Sequence, residues 1–136
     1  GIHRFFLESG AHVLYKEKHV GTGTGTGQKR IDPVTDIVLM ENSILEMDTV
    51  QIGGIDSTVR KTTARLAAGA RLTIHESILT EKNETAKTDF TVSMDGEDSH
   101  ALWQKAPHAR NTTPASWETA AAADTPSVTL SWLIRA

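Results

Sequence analysis

Leu7-Glu8-Ser9-Gly10-Ala11-His12-Val13 decides the fold: an apolar strand end, a tight polar turn, then a fresh strand. The same cadence returns as Met40-Glu41-Asn42-Ser43-Ile44-Leu45, as Leu66-Ala67-Ala68-Gly69-Ala70-Arg71-Leu72, and more loosely as Met94-Asp95-Gly96-Glu97. The turns fall at positions 10, 43, 69 and 96, with intervals of 33, 26 and 27. The first interval contains Gly21-Thr22-Gly23-Thr24-Gly25-Thr26-Gly27; without that insert it too is 26. Short strands joined by small turns at this period predict stacked coils, each too small to bury its apolar face alone. An antiparallel sandwich is the alternative, because its turns also recur at regular spacing.

The segments between the turns read as strands. Ala11, Val13 and Tyr15 alternate with His12, Leu14 and Lys16; Ala70, Leu72 and Ile74 with Arg71, Thr73 and His75; Phe90, Val92 and Met94 with Asp89, Thr91 and Ser93. A period of two sends one set to a core and the other to solvent. The inward set is expected to include Val13, Tyr15, Leu72, Ile74, Phe90 and Val92. β-Branched residues are dense in 49–52, 57–63 and 73–78, as strands prefer. Residues 61–70 carry enough alanine to suggest a helix, but Gly69 and the paired Thr62 and Thr63 weaken it.

Composition removes several function classes. The 136 residues, 38% apolar, suit one small domain with a real core. A net charge of −3 argues against nucleic-acid or anionic-membrane partners, which favour a basic surface. Apolar runs are only a few residues long, so no helical membrane span is expected, and no secretory apolar region opens the chain. A cytoplasmic location follows as the expectation. Gly1 starts inside a strand-like pattern, as in a piece of a longer protein. There is no cysteine, hence no disulfide framework and no thiolate-held metal in these residues.

Candidate chemistry mostly dissolves on inspection. The Gly/Thr run fails the phosphate-loop templates: Gly27 precedes Gln28 rather than lysine, and no glycine lies three residues beyond any Gly-x-Gly pair. It reads as a flexible excursion. Arg60, Lys61, Arg65 and Arg71 read as a solvated sheet face. The six histidines (His3, His12, His19, His75, His100, His108) form no His-x-His or His-x-x-x-His pair. His75, Glu76 and Ser77 are catalytic residue types, but neighbours on a strand point to opposite faces. Asn83-Glu84-Thr85 is a glycosylation sequon that a cytosolic chain does not use. No catalytic, cofactor-binding or metal-binding residue is assigned.

Several stretches nonetheless resemble a family. Ser9-Gly10-Ala11-His12-Val13-Leu14-Tyr15-Lys16-Glu17-Lys18-His19 and Asp32-Pro33-Val34-Thr35-Asp36-Ile37 look like the opening coils of the SufB/SufD family of iron–sulfur cluster assembly proteins. Val50-Gln51-Ile52-Gly53-Gly54-Ile55-Asp56-Ser57-Thr58-Val59-Arg60-Lys61-Thr62 resembles its core coils more specifically. So do Leu72-Thr73-Ile74-His75-Glu76 and Asp89-Phe90-Thr91-Val92-Ser93-Met94-Asp95-Gly96-Glu97. The likeness covers about residues 1–98. It implies an all-β fold, a right-handed parallel β-helix (solenoid), serving as a non-catalytic scaffold. It also implies an ABC-type ATPase subunit and a second SufB/SufD-like scaffold subunit as partners, with an iron–sulfur cluster in the full-length complex and no cofactor in this fragment. Two other classes remain. A β-helix enzyme acting on polysaccharide would need carboxylates converging on one face across successive coils, and no such column falls at the repeat spacing. A structural or adhesin solenoid would need a secretion signal.

Residues 99–136 read differently from 1–98. All ten glycines lie at or before Gly96, whereas Trp103, Trp117 and Trp132 and three of the four prolines follow residue 100. Only Glu118 and Asp124 are acidic there, and Ala120–Ala123 could start a helical turn. Taking the third base of each codon with the first two of the next, the tail's codons permit a hidden text with the glycine–histidine–x–glutamate–cysteine–aspartate order of the same family. That points to translation out of frame from somewhere between Glu97 and Ala101, which would remove the family's cluster-ligand segment. An irregular, non-native tail that leaves the strands near Phe90 uncapped is the expectation.

Overall fold

The computed structural model describes residues 1–20, 30–52, 57–80, 85–109, 117–122 and 127–135, with backbone alone for 78–80, 85–86 and beyond 104. Every regular element among them is a strand: β1 (Ile2–Leu7), β2 (His12–Val20), β3 (Arg30–Ile31), β4 (Val34–Leu39), β5 (Ile44–Ile52), β6 (Ser57–Leu66), β7 (Arg71–Thr80), β8 (Thr85–Met94), β9 (His100–Ala109), β10 (Trp117–Ala122) and β11 (Ser127–Arg135). The chain is all-β. One sheet runs β1-β4-β6-β8-β11 with β3 also beside β6, and the other runs β10-β9-β7-β5-β2. From β4 to β9 each strand leaves the sheet its predecessor joined, and every pairing within β1–β9 is parallel. The antiparallel sandwich is therefore not the fold of these strands.

Register turns the alternation into columns. In the first sheet Leu7, Leu39, Leu66 and Met94 lie side by side, as do Phe5, Ile37, Ala64 and Val92. In the second, Val13, Leu45, Leu72 and Ala101 form one column and Tyr15, Met47, Ile74 and Trp103 another. These faces meet as the hydrophobic core. Across it Phe5 packs edge-on against Tyr15 at 4.8 Å, and Phe90 tilts against Trp103 at 5.5 Å. Such aromatic pairs are worth about 0.5–1.5 kcal/mol beyond the area they bury.

The turns explain the repeat. Ala11 N donates to Glu8 O, Ser43 N to Met40 O and Ala70 N to Ala67 O, closing four-residue turns. Gly10, Asn42, Gly69 and Asp98 take positive φ (75°, 57°, 68° and 57°), a conformation open to glycine and tolerated by asparagine and aspartate. The equivalent positions are thus 10, 42, 69 and 98, so the expected turn positions 43 and 96 are corrected by one and two residues. The second shift arises because the second sheet steps one residue further than the first: Leu66 pairs with Met94, but Arg71 pairs with His100 rather than Ser99. Turns also stack on each other, with Gly10 N donating to Glu41 O, Asn42 N to Ala68 O and Gly69 N to Glu97 O. Just inside them, the buried Ser43 and Ser99 hydroxyls donate to Met40 O (2.7 Å) and Gly96 O (2.9 Å).

The expectations for the tail and for Val13 are corrected. The irregular tail is instead strands β9, β10 and β11, and 120–122 are extended rather than helical. The reason is hydrogen bonding: β9 satisfies the free edge of β7, while β11 pairs antiparallel with β8 from Thr85 to Ser93, so the strand of Phe90 is not uncapped. Ala101 and Trp103 supply inward side chains at the right parity and are buried. Val13 is 37% exposed, because its column ends at the first rung and no described strand lies beyond β2. Tyr15 is partly buried against the core, and Leu72, Ile74, Phe90 and Val92 are buried as expected.

A methyl group at Gly96 would stand 2.2 Å from Ala68 N and 2.5 Å from its Cα, both backbone. One at Gly69 would meet the movable Asn42 side chain at 2.2 Å, and one at Gly10 nothing within 4 Å. Gly10→Ala should cost only the left-handed strain, about 1–2 kcal/mol, and Gly69→Ala somewhat more. Gly96→Ala should cost the most, about 3 kcal/mol or more, because stacked backbones must separate. Chemical denaturation of the three variants checks this order, and Gly96→Ala as mild as Gly10→Ala would contradict the turn stacking.

Candidate functional site

The interior changes character along the strands. Near the turns it is leucine, isoleucine, valine and aromatic; further along, the inward positions become Pro33, Thr58, Arg60 and Thr88 on the first sheet and Thr49, Gln51 and Glu76 on the second, all buried. Inward parity is what places them there: Arg60 is an even-numbered neighbour of Thr58 and Ala64 on β6, while exposed Lys61 and Arg65 lie at the opposite parity.

Arg60 and Glu76 form the centre. Arg60 Nε lies 3.4 Å from Glu76 Oε1, joining β6 of one sheet to β7 of the other, with side chains only 9% and 5% exposed. Arg60 Nη2 donates to Gln51 Oε1 at 3.4 Å, and Thr88 Oγ1 donates to Glu76 Oε1 at 3.3 Å. Arg60 Nε itself is buried without hydrogen-bond geometry, so its contact with Glu76 is electrostatic. A small cavity of about 20 Å³ adjoins them, bordered by Thr49, Arg60, Glu76, Thr88 and Trp103 among others. That volume is about what a single water needs.

A second group stands at the open first rung. Glu17 Oε1 is 3.7 Å from His3 Nδ1 and in contact with His19 Nε2. The Tyr15 hydroxyl lies 3.4 Å from His3 Nδ1. Burial first, and the Glu17 charge second, push the Tyr15 phenol above its ordinary value of 10.0. Among the described residues no group of three or more histidine, cysteine, aspartate or glutamate side chains could hold a metal ion.

Lys61, Arg65 and Arg71 are exposed as expected, but Arg60 is not part of a solvated face: it is 7% exposed and points inward. Its parity with Thr58 and Ala64 could have revealed this from the sequence; a cluster of basic letters masked it. His75 is exposed and Glu76 buried, on opposite faces. His12 is exposed, 3.6 Å from Glu46 on the outer face of β5. The convergence of His3 and His19 on Glu17 had no local signal, because two strands bring it about. The Gly/Thr run at 21–27 and residues 83–84 of the sequon lie outside the described residues, and of His108 only the backbone is described. Among the described residues no helix is long and apolar enough to cross a membrane.

No family model matches the chain, and neither a curated protein nor a solved structure matches it.

The buried pair sets one expectation. Arg60→Ala or Glu76→Ala strands the other charge in the interior and should cost about 3–5 kcal/mol. Replacing both with apolar residues, Arg60→Met with Glu76→Leu, should cost less than either single change. Urea unfolding of the two singles and the double measures this, and additive losses would rule out the pairing. Tyr15 sets another, because it is the chain's one tyrosine, so absorbance titration at alkaline pH reads it alone. A raised folded value means its contribution to stability is full below the unfolded phenol value and lost as pH rises through the folded one. The midpoint should lie above 10.0, and Glu17→Gln should recover only the smaller part of the shift.

Proposed function

We propose that this chain is part of a scaffold component of iron–sulfur cluster assembly of the SUF type, acting in the cytoplasm and not as a catalyst. In this reading the paired parallel sheets are a right-handed parallel β-helix. One observation carries it: the segments that resemble SufB/SufD core coils fall, in order, on β5 to β8, which alternate between two sheets with every pairing parallel. A β-helix requires that arrangement of those segments. In this reading the Arg60–Glu76 pair ties the two sheets together rather than acting on a substrate.

The partners in this reading are an ABC-type ATPase subunit and a second SufB/SufD-like scaffold subunit, with a cluster forming in the assembled complex rather than on these residues. Co-expression with the SUF-type ATPase and scaffold subunits, followed by affinity purification on this chain, tests it. Retention of either subunit through a salt wash supports the scaffold role, and loss of both argues against it. Anaerobic incubation of the chain alone with iron and sulfide should leave no visible charge-transfer absorption after desalting; a stoichiometric cluster that survives would refute the assignment of ligands to other residues.

A further inference from the structure

The outer face of the first sheet is divided in two. On β6 and β8 it is polar: Lys61, Thr63, Arg65, Asp89, Thr91 and Ser93. On β1 and β4 it is apolar around a single ion pair. Phe6 sits beside Val38 and Ile2 beside Val34, with Met40 following. Phe6 and Ile2 are 66% and 64% exposed, and Val38 and Met40 are exposed as well. Between the two apolar pairs, Arg4 lies beside Asp36 with Nε 3.7 Å from Oδ2, and Thr63 Oγ1 donates to Asp36 Oδ1 at 2.7 Å. Phenylalanine, methionine and arginine, with no lysine, are what interface centres select and what free surfaces avoid.

We propose that this face is a two-fold interface between two copies of the chain. The charges choose this occupant. A two-fold contact sets the same patch against itself, so a residue touching its counterpart's neighbour is touched in return. With the axis through the Arg4–Asp36 pair, each Arg4 faces the other copy's Asp36, and the four charges alternate in sign. That axis runs along the strands between β1 and β4, so Ile2 of one copy covers Val34 of the other and Phe6 covers Val38. A partner of one charge sign would meet an opposing charge at the centre; a second copy satisfies both. The patch spans only two strands, so the dimer is a weak one that forms at high micromolar concentration rather than an obligate assembly. This proposal is independent of the scaffold reading: either holds if the other fails.

Sedimentation velocity across a concentration series tests it. The wild-type chain should show a concentration-dependent dimer. Phe6→Asp should weaken it on the order of tenfold or more, with an unchanged thermal midpoint because Phe6 is exposed. Leu14→Asp, on the outer face of the other sheet, should leave association intact. Arg4→Asp and Asp36→Arg should each abolish self-association, the first making the centre all acidic and the second all basic. An equimolar mixture of those two variants should form a heterodimer, since each then faces its opposite. A purely structural role for the ion pair cannot produce that rescue. A monomeric wild type, association lost through Leu14→Asp instead of Phe6→Asp, or a mixture that stays monomeric would each overturn the proposal.

Discussion

Each central strand of this chain draws its backbone hydrogen bonds from strands one rung away, a full repeat distant in sequence. Leu39 pairs with Leu66 and Ile44 with Arg71, so the two sheets advance by an identical step at this rung. Because the steps agree, the turn between the sheets can repeat its own geometry and stack on the turn before. In the next rung Leu66 pairs with Met94 but Arg71 with His100, so the second sheet advances further and the segment 95–99 absorbs the difference. Asp95 helps to fix that longer turn. It accepts from the Ser93 hydroxyl and from Arg65 of the rung below, and those bonds lower its carboxyl from the ordinary value. A slip of one residue anywhere would exchange faces, burying Lys61 and Arg65 and exposing Ala64 and Leu66.

The ion pair of Arg60 and Glu76 bears on the same constraint. Taking both charges out of water offsets most of their attraction, so the pair adds little net stability. Its larger effect is on alternatives. Arg60 belongs to one sheet and Glu76 to the other, so they meet only when both sheets hold their register together. Any arrangement that separates them leaves a buried charge unpaired, a penalty of about 3–5 kcal/mol. The leucine columns tolerate a shift by a whole side-chain period far better than this pair does.

Much of the fold was legible in the sequence. Alternation identified the strand faces, and the inward assignment of Leu72, Ile74, Phe90 and Val92 followed from it. The turn repeat also predicted stacking, though the left-handed position itself lay at Asn42 and Asp98 rather than 43 and 96, because φ and not residue type defines it. Composition misled at the tail. A loss of glycine and acidic residues suggested irregular structure, yet an unpaired parallel edge accepts any chain of suitable parity, and Ala101 and Trp103 have it. The interior charges were harder still. Arg60 was hidden among basic neighbours, and the meeting of His3, Glu17 and His19 depends on two strands crossing one rung, which no local window contains.

The two ends of the stack differ, and the difference is set by neighbours rather than by residue type. Val13 and Leu45 share a column, yet Leu45 is fully buried while Val13 is not. At the far end β10 and β11 reverse direction and pair antiparallel, occupying the edges of β9 and β8. At the near end the edges of β1 and β2 both remain open among the described strands. An open edge invites further pairing unless charge opposes it. On β2, Lys16 and Lys18 are both exposed, and antiparallel self-pairing centred on Glu17 would set each against the other's counterpart. On β1 the corresponding outward positions are Ile2, Arg4 and Phe6, with one charge whose counter-ion already lies beside it on β4. Charge thus opposes antiparallel self-pairing along the edge of the second sheet, whereas on the first sheet the exposed positions beside that edge are apolar: Ile2, Phe6 and Val38.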